Sequence, residues 1–265
     1  SCLDSIDKEF KVLIIENSNN INLKKKLEKD YPNVTCFLTG DNLGYAKGNN
    51  FGLSKVKSKY ALILNPDAVL KNDTLNQFLI TANNFPDFAI IGPAKQDEFS
   101  EIDLNKDKSQ VFEVNALKGF AMFLNMEQFE KIGFFDENFF LYFEEFDFCK
   151  FLKNKKQNVY LSNSLKVNHL GFKSSSLDVS NFKIEAEKLR NWHWMWSFFY
   201  FHKKNYNFFY AIFKTINKLF TSFIKLIFFF ILFDKENYNK YLYRFLGLGS
   251  SMIGLKSFYR GKYFN

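Results

Sequence analysis

The sequence predicts an α/β fold with a mostly parallel central sheet flanked by helices, followed by a C-terminal helical extension. Short apolar runs alternate with longer amphipathic stretches through the first part of the chain. This alternation is typical of strands joined by crossover helices. Polar clusters follow two of these runs directly, at residues 16–20 and 65–67. Because ligands of such sheets bind beyond the carboxyl ends of the strands, both clusters are expected at a binding edge.

Each predicted element has a local signal. KVLII at 11–15 and YALIL at 60–64 are apolar runs that end at polar residues, the pattern of buried strands. The other predicted strands lie at 34–38, 89–92, 114–124, 159–162 and 166–169, and the predicted helices at 22–31, 44–55, 72–84, 126–132 and within 139–150. A charged surface loop is predicted at 96–114, and long helices are predicted after residue 181.

Charge divides the chain near residue 182. Residues 183–265 carry 14 Lys and Arg against 4 Asp and Glu, whereas residues 1–182 carry 22 against 24. We therefore expect an α/β domain at 1–182 and a basic, aromatic-rich helical extension at 183–265. The three cysteines are scattered, without a paired spacing, which fits a reducing compartment.

Basic and aromatic residues are interleaved along residues 192–233. The apolar stretch 219–233 includes Lys225 and is shorter than the roughly 20 apolar residues of a spanning helix. A helix lying in the interface of an anionic membrane has this composition, so we expect peripheral membrane contact and no nucleic-acid partner. The alternative is that these aromatics pack onto the α/β domain or onto a second subunit. The predicted location is cytoplasmic, at the inner face of the membrane.

The segment FFLYFEEFDFCK at 139–150 places three carboxylates among aromatic side chains. Such acids are costly to bury unless a cation, a hydrogen-bond network or chemistry uses them. On a helix Glu144 and Asp147 share a face while Glu145 points elsewhere, which suits a general base beside a second acid. The alternative is an ordinary helix N-terminus, where the macrodipole favours acids.

Three further segments carry candidate residues. Asp67 leaves a predicted strand through Asn65 and Pro66, where it could hold a hard divalent cation, although the same tripeptide is an ordinary turn. His169 precedes a glycine and several serines, a setting that suits phosphate or metal contact, although a lone His is more often structural. The glycine-rich segment 44–52 lacks the order of a phosphate loop and instead suits close backbone approach to a flat or anionic group.

These motifs, in this order, resemble the inverting family 2 glycosyltransferases of the GT-A fold, especially their rhamnosyltransferase-like branch. The resemblance covers roughly residues 1 to 180 and is carried by ENSNN at 16–20, NLGYAKGNNFG at 42–52, LNPD at 64–67, KGFAMFL at 118–124, GFFDENFFLYFEEFDFCK at 133–150 and HLGFKSS at 169–175. Six motifs in the family's order are far more specific than any one of them.

The resemblance implies a role for each candidate. Glu145, which matches the second acid of the family's acidic pair, is expected to be the catalytic base, with Glu144 and Asp147 beside it. Donor contacts are implied for Glu16, Asn17, Ser18, Asn42, Gly44, Asn50 and Asn65, and a Mg²⁺ or Mn²⁺ site for Asp67 and His169. The implied reaction moves a sugar, with inversion, from a nucleotide-diphosphate donor to a glycan or lipid-linked acceptor. dTDP-rhamnose is the favoured donor, and bacterial surface polysaccharide synthesis the expected pathway.

The chain departs from the family's pattern at a few positions. Glu16 and Glu145 stand where Asp is more usual, and Lys150 stands where the family has Arg. The family's first strand and nucleotide loop are expected ahead of Ser1, so the chain is expected to be N-terminally incomplete. Two alternative functions remain open at this point: a noncatalytic homologue that acts as a membrane-associated scaffold, and a nucleotidyltransferase on a related sheet.

Overall fold

The structure, a computed structural model, describes residues 1–94, 110–169 and 180–261. Within these ranges the strands are β1 (Val12–Glu16), β2 (Val34–Leu38), β3 (Tyr60–Leu64), β4 (Ala68–Leu70), β5 (Phe88–Pro93), β6 (Val111–Glu113), β7 (Ala121–Asn125), β8 (Asn158–Ser162) and β9 (Val167–His169). The helices are α1 (Ile21–Asp30), α2 (Gly44–Leu53), α3 (Thr74–Asn84), α4 (Glu144–Asn154), α5 (Ser180–Asn205), α6 (Phe208–Ile231) and α7 (Lys235–Met252).

The strands form one five-stranded sheet and two smaller ones. The large sheet has the order β3-β7-β5-β8-β6, in which β5 and β8 are parallel and the other neighbours are antiparallel. β1 pairs with β2 in parallel, and β4 pairs with β9 antiparallel. The α/β class and the C-terminal helices are confirmed. The central sheet is mixed rather than mostly parallel, because hydrophobic runs locate strands but carry no information on their direction.

Short elements account for the other differences from the sequence prediction. β4 and β6 have three residues each, too few for a periodic pattern, and β6 lies inside the predicted loop 96–114. Of the strand predicted at 114–124 only its end forms β7, and the helix predicted at 126–132 is a 3₁₀ turn at Met126–Gln128. Part of the predicted loop falls outside the described residues.

Both faces of the five-stranded sheet are covered by apolar packing. Met122 and Leu124 of β7 contact a core that includes Phe148 of α4, whereas Phe123 packs with Phe78 of α3. Successive side chains of a strand point to opposite faces, so β7 supplies both layers. Burial of Phe148 fixes the inner face of α4 and thereby positions the first turn of that helix, which carries the acids.

Helix α5 packs onto the α/β domain instead of standing free. Tyr200 and Phe201 pack against the core of the α/β domain, and the Ser197 hydroxyl donates a hydrogen bond to the carbonyl of Leu141 at 2.8 Å. For Tyr200 and Phe201 the alternative of packing onto the α/β domain therefore holds, whereas Trp192 and Phe199 are buried against the other C-terminal helices and the residues after α7. The division of the chain at residue 182 stays a prediction.

Helix α6, in contrast to α5, exposes most of its large apolar side chains. Phe209 and Phe213 are 82% and 75% exposed, and Phe233 just beyond the helix is 92% exposed. The small side chains of Ala211, Thr215 and Ser222 are its buried positions. Within the described ranges, none of the helices combines the length and hydrophobicity that a bilayer crossing demands.

Candidate active site

The acidic helix α4 begins from an unusual backbone. Tyr142 and Phe143, the two residues before it, both have φ of +69°. Non-glycine residues in this region cost on the order of 1–3 kcal/mol each, and such strain persists only where the surroundings enforce it. The Phe143 ring supplies that enforcement, because it packs against Trp194, Phe198 and Phe201 of α5 at centroid distances of 5.3, 5.5 and 5.5 Å. The strained residues Tyr142 and Phe143 thereby position Glu144 and Glu145, which form the start of α4.

Glu144 and Glu145 are adjacent carboxyls held out of water. Glu144 is only 5% exposed, and the Oε2 atom of each side chain is buried without a hydrogen-bond partner among the described residues. Burial raises the pKa of Glu144 well above its usual range, and the neighbouring Glu145 raises it further. Burial also raises the pKa of Glu145 to about 7, although a backbone hydrogen bond and the Lys118 charge oppose the shift. A carboxyl that titrates near neutrality is suited to act as a general base.

The burial of Glu144 leads to a pH-dependent stability prediction. Because the pKa of Glu144 is higher in the folded than in the unfolded state, the free energy of unfolding falls as pH rises above about 4.3, where the unfolded carboxyl ionises. We expect Glu144→Gln to remove part of that fall. The Tm of the variant should be higher than that of the wild type at pH 8 and equal to it near pH 4. Each kcal/mol of difference in the free energy of unfolding corresponds to about 2–4 °C of Tm. Thermal denaturation across this pH range checks the prediction.

Glu130 provides the control for that experiment, because its carboxylate is exposed. Glu130→Gln should leave the pH dependence of Tm unchanged. Parallel Tm profiles for the wild type and Glu144→Gln would contradict the assignment of a destabilising buried carboxyl.

Asp147 has a different environment from the two glutamates. Its carboxylate accepts hydrogen bonds from Lys204 Nζ at 2.6 Å and from Asn205 Nδ2 at 2.7 Å. The same Lys204 ammonium contacts Asp136 at 2.8 Å. These contacts tie α4 to the end of α5. The expected partnership of Asp147 with the base stays a prediction, and its observed bonds indicate a positioning role.

Tyr45 and Gly119 bring two distant segments against Glu145. The Tyr45 hydroxyl donates a hydrogen bond to the Gly119 carbonyl. A Cβ atom at Gly119 would lie 2.8 Å from the Tyr45 oxygen and 3.6 Å from the Cβ of Glu145, so the close approach requires glycine. Burial together with the two glutamates raises the pKa of Tyr45, which keeps its hydroxyl a donor. Sequence reasoning identified the KGF segment only as a motif, and Tyr45 not at all.

The predicted metal ligands Asp67 and His169 are neighbours in the structure. The antiparallel pairing of β4 with β9 places His169 opposite Ala68, and His169 Nε2 lies 3.4 Å from Asp67 Oδ1. The His169 ring also stacks on Phe120, with 4.6 Å between centroids. The structure therefore brings together two side chains that are far apart in the sequence.

The segment 118–120 connects the two halves of the site. The Phe120 carbonyl accepts a hydrogen bond from the backbone N–H of Asn65 at 2.9 Å. The adjacent Gly119 lies close to Glu145. Phe120 thus stacks on His169 of the Asp67–His169 pair, and the residue before it lies close to the Cβ atom of the candidate base. A candidate cation-binding pair and a candidate general base on either side of one short segment can serve a single reaction.

Asp67 and His169 fit a divalent cation that is completed by a ligand. Within the described residues no group of three or more His, Cys, Asp and Glu side chains could hold a metal by itself. Mg²⁺ commonly takes one or two protein carboxylates and completes its coordination with phosphate oxygens and water. A carboxylate with an adjacent imidazole meets this requirement when a diphosphate is bound.

The expected donor-binding loops meet through the side chain of Asn17. Its Oδ1 accepts a hydrogen bond from the Leu43 amide at 2.9 Å, and its Nδ2 donates to Asn42 Oδ1 at 3.1 Å and to the Gly44 carbonyl at 3.2 Å. Gly44 has φ of +77°, and a Cβ there would lie 2.4 Å from the Phe140 carbonyl oxygen. The structure thus joins Asn17, Asn42 and Gly44, and it places their loop against the acidic segment.

The remaining donor candidates are held by the protein in different ways. Ser18 donates its hydroxyl to Glu16 at 2.8 Å. The Asn50 amide makes two bonds to the Phe135 backbone, at 2.9 and 3.1 Å, and so clamps α2 to the stretch before α4. Asn65 is placed by its backbone bonds beside Asp67. Their contacts with a donor stay predictions, and Asn50 acts here as a structural clamp.

Comparison with known sequences agrees with this geometry. Residues 1–150 match the sequence model described as Glycosyl transferase family 2. The chain is 24% identical over 171 residues to the low-salt glycan biosynthesis hexosyltransferase Agl10 of Haloferax volcanii, covering 56% of this chain and 54% of that protein. It is 23% identical over 180 residues to the rhamnosyltransferase WbbL of Escherichia coli K12, covering 56% of this chain and 67% of that protein. The chain therefore spans about half the length of Agl10.

Two solved structures share the fold. GalNAc-T7, in complex with UDP, GalNAc and Mn²⁺, superposes with a TM-score of 0.54 at 14% identity over 74% of this chain and 46% of its own. The mannosyltransferase PcManGT of Pyrobaculum calidifontis, in complex with GDP-Man and Mn²⁺, superposes with a TM-score of 0.57 at 12% identity. The match covers 95% of this chain and 82% of that protein. At these identities the likeness concerns the fold, and it confirms the expected GT-A architecture.

Proposed function

The chain belongs to glycosyltransferase family 2, and on that premise we propose that it transfers a hexosyl or rhamnosyl group from a nucleotide-diphosphate sugar to an acceptor hydroxyl with inversion. One observation carries the proposal: Glu145, which has a buried carboxyl oxygen without a hydrogen-bond partner among the described residues, lies next to Gly119, and the following residue Phe120 stacks on His169 of the Asp67–His169 pair. This arrangement speaks against a noncatalytic scaffold, because a buried carboxyl oxygen without a hydrogen-bond partner is costly unless it is used.

The proposed reaction is a single displacement. Glu145 takes the proton of the acceptor hydroxyl while that oxygen bonds to the anomeric carbon of the donor. The bond from the same carbon to the diphosphate oxygen breaks, and the nucleoside diphosphate leaves with the bonding electrons. Because burial raises the pKa of Glu144 well above its usual range, its protonated form is favoured, which limits the negative charge beside the base. A general base contributes roughly 10²–10⁴ in rate, and positioning supplies much of the rest.

Asp67 and His169 are the residues that would hold a Mg²⁺ or Mn²⁺ ion with the donor diphosphate. When bound, such an ion neutralises the charge that develops on the leaving group. The two fold relatives described above were solved with Mn²⁺, which supports the choice of ion. The loop around Asn17, Asn42 and Gly44 is the proposed binding site of the nucleotide.

The donor sugar is proposed from the relatives. WbbL is a rhamnosyltransferase and Agl10 a hexosyltransferase of glycan biosynthesis, which favours dTDP-rhamnose first and UDP- or GDP-hexoses next. Calorimetric titration of dTDP, UDP and GDP in the presence of Mn²⁺ tests the donor site. We expect one nucleotide to bind, with affinity that EDTA abolishes. A folded chain that binds none of the three would argue against the proposal.

We also propose that α6 rests on a membrane surface, where a lipid-linked acceptor would be found. Phe209, Phe213, Phe220, Ile224 and Ile231 are exposed along a helix of roughly 36 Å. Lys214, Lys218 and Lys225 are exposed on the same helix. Apolar side chains combined with lysines favour the interface of an anionic bilayer. Because these lysines complement an anionic headgroup surface, we favour the membrane over a second protein as the occupant of the α6 surface.

Vesicle binding tests the α6 surface. We expect the double variant Phe213→Asp, Ile224→Asp to lose most of its binding to phosphatidylglycerol vesicles, because two charges replace two exposed apolar side chains. Ile80 of α3 is exposed as well, and Ile80→Asp is the matched control that should bind as the wild type does. Equal vesicle binding by the double variant and the control would contradict membrane docking through α6.

A further inference from the structure

A polar pocket of about 360 Å³ lies between helices α5 and α7. Tyr142, Arg190, Trp194, Lys240 and Arg244 are among its lining residues. Its volume falls in the range of small-molecule sites, which is about 300–1,000 Å³. We call this cavity the α5–α7 pocket. The family match ends at residue 150 and so includes neither α5 nor α7, and the site described above uses α5 only to hold the turn before α4 and to bind Asp147.

The lining of the α5–α7 pocket combines two chemistries. Trp194 is 45% exposed despite its ring contacts, so one part of the indole faces the cavity and solvent. Flat aromatic surface suits the apolar face of a sugar ring. Arg190, Lys240 and Arg244 add three cations against the two acids Glu187 and Glu236. In the described residues neither Lys240 nor Arg244 forms an ion pair, and Arg244 is oriented by a 2.8 Å hydrogen bond from its Nε to Asn191 Oδ1.

The α5–α7 pocket lies next to the left-handed turn at Tyr142 and Phe143 that precedes α4. Tyr142, which lines the pocket, comes two residues before Glu144, and its ring packs edge-on against Trp194 with 5.2 Å between centroids. Trp194 also packs against Phe143, the residue that precedes α4. Burial raises the pKa of Tyr142 to about 12, and the charges of Arg190, which lines the pocket, and of Glu144 also act on its hydroxyl. A ligand in the pocket therefore lies beside the turn that presents Glu145.

We propose that the α5–α7 pocket is the acceptor subsite and that it binds a sugar carrying a phosphoryl group. The inference rests on the proposed glycosyltransfer, since a subsite next to the base has a use only in that reaction. The aromatic rings hold the sugar, Lys240 and Arg244 hold the phosphoryl oxygens, and the acceptor hydroxyl is directed toward Glu145. Glu236 and Asn237 in the first turn of α7 line the pocket and follow closely after the exposed Phe233, so a lipid attached to the phosphoryl group has an apolar surface nearby.

The test is a calorimetric titration of the full chain with glucose 1-phosphate, glucose and inorganic phosphate as probes. We expect glucose 1-phosphate to bind more tightly than either fragment. Lys240→Ala should weaken that binding by at least about tenfold, because a charge-assisted hydrogen bond is lost, and Lys240→Arg should restore most of it. Lys235 is exposed on the same helix outside the pocket, so Lys235→Ala should bind as the wild type does.

Several results would overturn the inference. These are the absence of glucose 1-phosphate binding, binding unchanged in Lys240→Ala, and phosphate binding as tight as that of the sugar phosphate. A Lys240→Ala variant that loses affinity for phosphatidylglycerol vesicles but not for glucose 1-phosphate would assign the cations to a lipid headgroup and would overturn it as well. Nucleotide titration of the same samples keeps the two proposals separate, because it reports the donor site whether or not the pocket binds the probe.

Discussion

Replacing Glu145 by Gln is expected to reduce sugar transfer by roughly 10²–10⁴, the usual contribution of a general base. Glutamine has nearly the same shape as glutamate but cannot accept the proton of the acceptor hydroxyl. Because the hydrogen bonds that shape the Asn17 loop join Asn17 to Asn42, Leu43 and Gly44 and do not use the Glu145 carboxyl, nucleotide affinity should stay within a few-fold of the wild type. Steady-state transfer rates, together with calorimetric binding of the nucleotide, check both parts.

The pH profile of the wild type adds an independent readout. A base works in its deprotonated form, so the rate should rise with pH and level off above the pKa of Glu145, about 7. In Glu145→Gln the residual rate should lose this rise. The exposed Glu130 supplies the control, and Glu130→Gln should keep both the rate and the profile. A Glu145→Gln enzyme with nearly full activity would show that another group is the base.

Replacing Asp67 by Ala is expected to abolish Mn²⁺-dependent nucleotide binding. Even residues that only support metal ligands cost about 10–100-fold in metal affinity when changed, so loss of a ligand should cost at least as much. His169 remains in this variant but offers one nitrogen without its neighbouring carboxylate. Titration of the nucleoside diphosphate with and without Mn²⁺, on the variant and the wild type, measures the effect.

Asp30 at the end of α1 is exposed and serves as the matched position. Asp30→Ala should bind nucleotide and Mn²⁺ as the wild type does. If Asp67→Ala kept the Mn²⁺ dependence of the wild type, the proposed ligands would be wrong, and the Asp67–His169 contact would be only structural.

The parts of the site that follow strand ends were predictable from the sequence. β3 was predicted at its observed bounds, so the position of Asp67 just beyond it followed directly. The proximity of Asp67 to His169 came instead from the family resemblance, because the pairing of β4 with β9 involves strands of only three residues. Patterns this short carry no periodic signal.

Other features depended on tertiary contacts that no local pattern encodes. The left-handed turn at Tyr142 and Phe143 is held by aromatic rings of α5, some fifty residues further along the chain. Asp147 looked equivalent to Glu144 on the helix face, but Lys204 and Asn205 engage its carboxylate. The composition of residues 192–233 does not distinguish the aromatic side chains of α5 from those of α6. In the structure the aromatic side chains of α5 are largely buried and those of α6 are largely exposed.

The most direct test of the proposed function is analysis of the products formed from dTDP-rhamnose, UDP-glucose and GDP-mannose with Mn²⁺. We predict that one of these donors is consumed with release of its nucleoside diphosphate, and that Glu145→Gln does so far more slowly. Release of pyrophosphate from a nucleoside triphosphate would instead identify a nucleotidyltransferase. If the folded protein left all three donors intact and released pyrophosphate from a nucleoside triphosphate, the assignment of glycosyl transfer to this site would be contradicted.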